Sequence, residues 1–296
     1  MEYVKIDETF PKLSNCAVTL GKFDGVHRGH RKLVDSILEK KEEGATAVLF
    51  AFISSSQAIY TSEERSKLLE KMGVDVLLEC PLNEKIRNMR AENFIKEILV
   101  GDLQVTHVAV GEDFRFGHKR KGTPELLMEY GKKYGYTVDV VSEEMDGNRK
   151  ISSTYIREEL RHGNMQKVNA LLGSDFHVTG IVQHGRGIGH KMLFPTTNLV
   201  PGEEKLMPPN GVYVTLSRFG DQVYQGITNV GYKPTVGERF IGVETYLFDC
   251  EENLYGQECV VSFYKFLRPE QRFDSFEALK EQMEVDILRG REFFVK

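Results

Sequence analysis

The sequence predicts a chain in two parts: an α/β unit on a parallel sheet, then an all-β antiparallel unit with a terminal helix. Two patterns carry this. Up to Leu172, strand-like apolar runs alternate with helical stripes, as in a parallel sheet wrapped in helices. From Phe176 to Leu267 strand signals follow one another with only turn residues between them, as in an antiparallel barrel or sandwich. The boundary is expected between Leu172 and Phe176, giving domains 1–174 and 175–296.

In the first part, Ala17–Gly21 is a short apolar run ending in glycine. Arg28–Lys40 carries Leu33, Ile37 and Leu38 at helical spacing. Thr46–Phe52 is continuously apolar, as a strand buried on both faces must be. Ser62–Met72 starts with Glu63 and Glu64, which suit the positive end of a helix. Val74–Leu78, Val105–Gly111 and Thr137–Val141 read as strands. Asn93–Val100 and the Thr123-Pro124 segment to Lys133 read as helices, and Thr154–Arg161 and Met165–Leu172 as two further short ones. In the second part, strands are expected at His177–Gln183, Gly211–Arg218, Gln222–Asn229, Gly242–Asp249 and Glu258–Phe266. Ser275–Arg289 is expected to be an amphipathic helix with Phe276, Leu279, Met283 and Ile287 on its apolar face.

Composition excludes several classes. The 296 residues are 41% hydrophobic and 28% charged, which fits a globular protein rather than a disordered or fibrous one. A net charge of −5 argues against nucleic acid as a partner. No apolar run approaches the ~18–20 residues of a membrane span, and the N-terminus lacks a signal-peptide core. Cys16, Cys80, Cys250 and Cys259 form no C-x-x-C pair, so reduced, largely buried thiols in a cytoplasmic protein are expected. The expected partners are small molecules, and the chain is expected to be a monomer or weak homo-oligomer.

Two segments carry chemistry. In Gly21-Lys-Phe-Asp-Gly-Val-His-Arg-Gly-His30 a strand runs into a loop and a helix starts near Arg28. A helix N-terminus offers unpaired N–H groups and partial positive charge to phosphate. Gly21, Gly25 and Gly29 allow close approach, and His27 and His30 offer hydrogen bonds to phosphate oxygens. Ile151-Ser-Ser-Thr-Tyr-Ile-Arg157 sets Ser152, Ser153 and Thr154 at another helix start, with Arg157 placed to pair with a phosphate; alone, it also reads as a plain helix cap. Between them lies Val110-Gly-Glu-Asp113-Phe-Arg-Phe-Gly117, then His118-Lys-Arg-Lys-Gly122. That basic run is either a solvated loop or one that attracts an anionic substrate.

The second segment is a strand leading to Gly185, Gly187 and Gly189, a loop able to wrap phosphates, followed by Pro195-Thr-Thr-Asn198. Thr196 and Asn198 alternate, so both leave an extended chain on one face and offer hard oxygen ligands to Mg²⁺. Glu244, amid apolar neighbours, is either an outward-facing acid on an alternating strand or a base for an attacking hydroxyl.

The H-x-G-H element resembles the signature of nucleotidyltransferases with a Rossmann-like sheet. The ordered set G-x-F-D-G-V-H-x-G-H, G-E-D-F-R-F-G, I-S-S-T-x-I-R, F-P-T-x-N, G-V-Y and E-T-x-L-F-D resembles the prokaryotic bifunctional riboflavin kinase/FMN adenylyltransferase family, from Leu20 to about Ile287. The resemblance implies two reactions. A C-terminal β-barrel would phosphorylate riboflavin with ATP, using Thr196 and Asn198 for Mg²⁺–nucleotide, Gly185–Gly189 as the covering loop and Glu244 as base. The N-terminal Rossmann-like domain would join FMN to the AMP part of ATP, with His27, His30, Ser153 and Arg157 holding the triphosphate and Phe23, Asp24 and Asp113 in the surrounding site motifs. The sequence departs from the family at Ala51-Phe-Ile-Ser-Ser-Ser56, where an F-D-P-H-P-like loop is usual. Tyr155, Leu193 and Thr197 also replace a commonly basic residue, a glycine and an alanine. The first departure supports a second reading, a riboflavin kinase with weak or lost adenylyltransferase activity.

Overall fold

The computed structural model describes residues 1–7, 9–53, 57–183, 196–234 and 239–295. The chain divides into two compact units, Met1–Ser153 and Thr154–Lys296.

The first unit is a six-stranded parallel sheet in the order β1 (Glu2–Lys5), β4 (Val76–Pro81), β3 (Thr46–Ile53), β2 (Cys16–Gly21), β5 (Val105–Gly111) and β6 (Thr137–Val141). Alternation along the strands feeds two cores. Val18, Leu20, Val48 and Phe50 face one side, and Ala17, Ala47, Leu49 and Ala51 the other. Helix α1 (Arg28–Glu42) and α2 (Ser62–Met72) cover the second side with Leu33, Val34, Ile37 and Leu69. The other side is covered by α3 (Glu84–Asn88), by α4 (Ala91–Asn93), which continues as a π-helix over Phe94–Asp102, and by α5 (Pro124–Tyr134). Local signals fix several ends. Thr61 and Glu64 form a reciprocal capping box on α2, and Gly73 ends it in the left-handed conformation. Pro124 follows the Thr123 cap of α5.

Sequence reading misses β1, α3 and the small hairpin of β7 (Met145–Asp146) and β8 (Arg149–Lys150). β1 is four residues long with no buried side chain, so its pattern is faint. It is held by parallel pairing to β4 and by the Tyr3 hydroxyl, which donates to Glu79 at 2.8 Å.

The second unit starts with most of α6 (Ser153–Arg161) and α7 (Met165–Leu172). Its antiparallel sheet runs β10 (Thr196–Leu199), β13 (Arg239–Leu247), β12 (Gln222–Pro234), β11 (Gly211–Phe219), β14 (Glu258–Pro269) and β9 (His177–Ile181). The two end strands approach each other: Gln183, just past β9, donates its N–H to the Asn198 carbonyl in β10 at 2.9 Å. The sheet thus curls into a barrel, helped by register shifts between β11 and β14. A buried row of hydroxyls crosses three strands, with Thr215 to Thr228 at 2.7 Å and Thr228 to Thr245 at 2.8 Å.

The terminal helix α8 (Phe276–Val295) corrects the expected apolar face. Phe276 is exposed, and Leu279, Met283 and Ile287 are only half-buried. The buried positions are Asp286 and Gly290. Asp286 receives the Arg268 guanidinium at 2.7–3.2 Å. Gly290 lies against Ile227 and Phe248, where a Cβ would come within 2.9 Å of both. An ion pair and close backbone approach hold this helix as much as an apolar stripe does. Cys16, Cys80 and Cys259 are buried free thiols and Cys250 is a partly exposed one.

Candidate active sites

In the first unit the chain winds outward from β2 through β3 to β4, then returns to the other side of β2 with β5 and β6. The order therefore reverses between β2 and β5, and open α/β sheets bind ligands at the carboxyl ends beside such a switch. A cavity of about 540 Å³ lies there, lined by Gly21 at the end of β2, Phe52 in β3, Gly111 at the end of β5 and Val141 at the end of β6.

One part of its wall is polar. Gly21, His27, Gly29, His30, Asp113, Ser152 and Ser153 line it, so both signature segments meet in one place. His27 caps α1, its Nδ1 accepting the His30 N–H at 3.3 Å. With Nδ1 an acceptor, the proton of the neutral ring sits on Nε2. The His27 and His30 rings stack at 3.6 Å, and His30 Nδ1 is buried with no hydrogen-bond partner among the described residues. Burial pushes His27 down to about 4, and the Lys150 charge adds to that. His30 is also lowered, by burial first, then by His27 and Lys150. Both imidazoles are therefore neutral near pH 7.

Phe23, Asp24 and Gly25 stand behind the wall rather than in it. Phe23 is buried against His30 at 4.8 Å between ring centroids. The Asp24 carboxylate accepts the Ile59 N–H at 2.8 Å, and its carbonyl accepts the Ser153 hydroxyl at 2.7 Å. That second bond ties the I-S-S-T segment to the G-x-F-D-G loop. Phe23 (φ 47°), Gly25 (φ 89°) and Val26 (φ 42°) all adopt left-handed backbone, a strained run of the kind that clusters at functional sites. Thr154 and Arg157 lie on α6 in the second unit; Thr154 is exposed and Arg157 half-buried.

The other part of the wall is apolar: Phe52, Leu82, Ile86, Met89, Phe94 and Phe116. Phe52 packs on Phe94 at 6.0 Å and Phe94 on Phe116 at 5.6 Å. Of the Ala51–Ser56 departure, Ala51, Phe52 and Ile53 extend β3, and Phe52 joins this wall. Ser54, Ser55 and Ser56 lie outside the described residues.

Sequence reasoning missed a set of charges here. Lys150 pairs with Asp113 and Glu143. Glu144 accepts from Arg28 and Lys32, each at 2.5 Å, clamping the segment before Ser152 to the start of α1. A basic residue directly before I-S-S-T was the available signal. Of the basic run, Lys119 and Arg120 line the cavity.

In the second unit, β10 pairs with β13 so that Asn198 faces Glu244 across the ladder and Thr196 faces Tyr246. The Thr196 hydroxyl donates to the Glu244 carboxylate at 2.9 Å. All three side chains are half-buried. The hydroxyl proton is thus turned to Glu244, which leaves the oxygen lone pairs open. Hydroxyl, amide and carboxylate oxygens suit a hard cation such as Mg²⁺. Thr197 points the other way: it is buried and donates to the Thr245 carbonyl at 3.4 Å, so its side chain is not on the face of Thr196 and Asn198. Gly185, Gly187, Gly189, Leu193 and Pro195 lie outside the described residues.

The chain is 36% identical over 291 residues to a bifunctional riboflavin kinase/FMN adenylyltransferase of Escherichia coli K12, covering 94% of this chain and 93% of that one. The chain belongs to the bifunctional riboflavin kinase/FMN adenylyltransferase family. A family member from Buchnera aphidicola of Schizaphis graminum is also 36% identical, covering 95% of each chain. The FAD synthetase family model matches residues 9–155 and the riboflavin kinase model residues 172–294. A crystal structure described as a macrolide-efflux protein from Streptococcus pneumoniae superposes with a TM-score of 0.87 at 27% identity, covering 98% of this chain and 99% of that one. Among the described residues no helix is long and apolar enough to cross a membrane.

Proposed function

We propose that this family member phosphorylates riboflavin to FMN and adenylylates FMN to FAD, using ATP in both steps. Adenylyl transfer is assigned to residues 1–174 and phosphorylation to residues 175–296, a division supported by family matches to 9–155 and 172–294. The carrying observation is that one chain holds two chemically distinct sets: His27 and His30 at a switch-point cavity, and Thr196, Asn198 and Glu244 on paired strands.

In the first reaction the FMN phosphate oxygen attacks the α-phosphorus of ATP, and pyrophosphate leaves. No protein nucleophile is needed, so positioning and charge carry the catalysis. The His27 Nε2–H and a His30 ring N–H donate to the triphosphate, and Ser152, Ser153 and the α1 N-terminus add donors. In the second, the riboflavin 5′-hydroxyl attacks the γ-phosphorus of ATP and ADP leaves. Glu244 takes the hydroxyl proton. Thr196 and Asn198 would hold Mg²⁺, which would neutralise phosphate charge.

The setting is cytoplasmic, the partners are small molecules, and the chain acts as a monomer or weak homo-oligomer. The reading with a weak or lost adenylyltransferase rested on Ala51–Ser56. Phe52 in the apolar wall favours a retained flavin slot. The test supplies FMN, ATP and Mg²⁺ and follows FAD by chromatography. FAD is expected with oxidised or reduced FMN. Riboflavin phosphorylation with no FAD from either form would leave only the kinase.

A further inference from the structure

The cations that line the cavity are Lys22, Arg87, Arg115, Lys119, Arg120 and Lys150, and among the described residues Lys22 and Arg87 have no acidic partner. Lys150 is tied to Asp113 and Glu143, and Arg28 and Lys32, outside the lining, are tied to Glu144. At the rim beside the aromatic wall, Lys119 and Arg120 have no acidic partner among the described residues. Both are exposed, and both adopt left-handed backbone, with φ of 55° and 58°. Two such adjacent non-glycine residues are costly and persist only where surroundings impose them.

The surroundings are explicit. Phe116 and Gly122 exchange backbone hydrogen bonds at 2.8 and 3.2 Å, closing the loop at its base. The His118 N–H donates to the Met89 carbonyl at 2.7 Å. Gly117 (φ 69°) seats on Ala91, where a Cβ would stand 2.7 Å from the Ala91 nitrogen. The loop is thus bolted to the turn that carries Met89 and follows directly on Phe116, both in the apolar wall.

We infer that the Lys119–Arg120 turn binds the phosphate of FMN and sets the preference of the adenylyl site for FMN over unphosphorylated flavin. This rests on the function proposed above. FMN joins an apolar ring system to a phosphate monoester of about −1.5 to −2 charge at neutral pH. A wall of packed aromatics beside two adjacent cations preset by left-handed backbone matches that combination. The neutral histidines do not supply this charge.

The test replaces both residues with asparagine, which tolerates left-handed backbone (Lys119→Asn with Arg120→Asn). FAD formation gives KM for FMN and for ATP. The probe 5′-deoxyriboflavin, which has neither phosphate nor the hydroxyl that accepts one, gives Ki for the flavin frame and reports an intact slot. The expected result is a KM for FMN raised roughly tenfold or more, from the loss of charge-assisted bonds, with the probe's Ki and KM for ATP unchanged. A raised KM for ATP with KM for FMN unchanged would assign the loop to the triphosphate. Equal rises for FMN and the probe would make it a wall of the ring slot, and no change in either would remove it from binding; each of these overturns the inference. Absence of FAD from the wild-type protein would overturn the proposed function itself, and this inference with it.

Discussion

His27 does two jobs with one ring: Nδ1 caps α1 and Nε2–H is left for a ligand. Its low pKa has a consequence for stability. Unfolded, the imidazole titrates near 6.5; folded, burial holds it neutral down to about 4. The unfolded chain therefore binds the extra proton first as pH falls. The stabilising contribution is present above about 6.5 and is lost progressively from there towards 4. Between pH 7 and 5 this amounts to roughly 2 kcal/mol. His27→Asn keeps a good cap and removes the titration. Urea unfolding of the first unit at the two pH values is expected to show a smaller acid loss in the variant by about that amount. Equal losses in both proteins would mean that His27 is not held neutral by the fold. Glu244 shows the other limit at this scale. Pattern alone leaves it outward-facing or functional; the register sets Asn198 opposite it and brings Thr196 within hydrogen-bond reach, which supports the proposed role.

At the scale of elements, what was legible is what local chemistry dictates. β2, β3 and β5 announce themselves as apolar runs because both faces are buried. Glu63 and Glu64 in a first turn, and Thr123 with Pro124, mark helix starts within a few residues of sequence. What was illegible depends on distant partners. β1 exists through β4, and the Lys150 and Glu144 pairings join segments far apart in the chain. α8 was read as an apolar stripe, whereas Asp286 and Gly290 are its buried contacts. Removing one partner of a buried ion pair typically costs ~3–5 kcal/mol, because the other charge is stranded. Asp286 is 1% exposed, and the Arg268 side chain is 15% exposed, so the lower end applies. Asp286→Ala is expected to destabilise the second unit by about 3 kcal/mol in urea unfolding, and Arg268→Met in the same protein to restore part of it. A destabilisation under about 0.5 kcal/mol would show that α8 is held by its apolar contacts alone.

In the whole molecule, one chain carries two separate ATP-dependent chemistries. His30 lies in the first unit and the Thr196–Glu244 bond in the second. Their dependence on different residues is therefore testable in one protein, without dividing it. Glu244→Gln removes the proposed base while keeping the size of the side chain. His30→Ala removes a donor from the phosphate end of the cavity. The most direct measurement gives each full-length variant ATP and Mg²⁺ with either riboflavin or FMN, and quantifies FMN and FAD by chromatography. The account predicts that Glu244→Gln loses FMN formation, by about 100-fold or more, and still converts supplied FMN to FAD. It predicts that His30→Ala makes FMN at the wild-type rate and stops there. A folded His30→Ala protein that also lost riboflavin phosphorylation, or a Glu244→Gln protein that also failed to adenylylate supplied FMN, would contradict the two-site account.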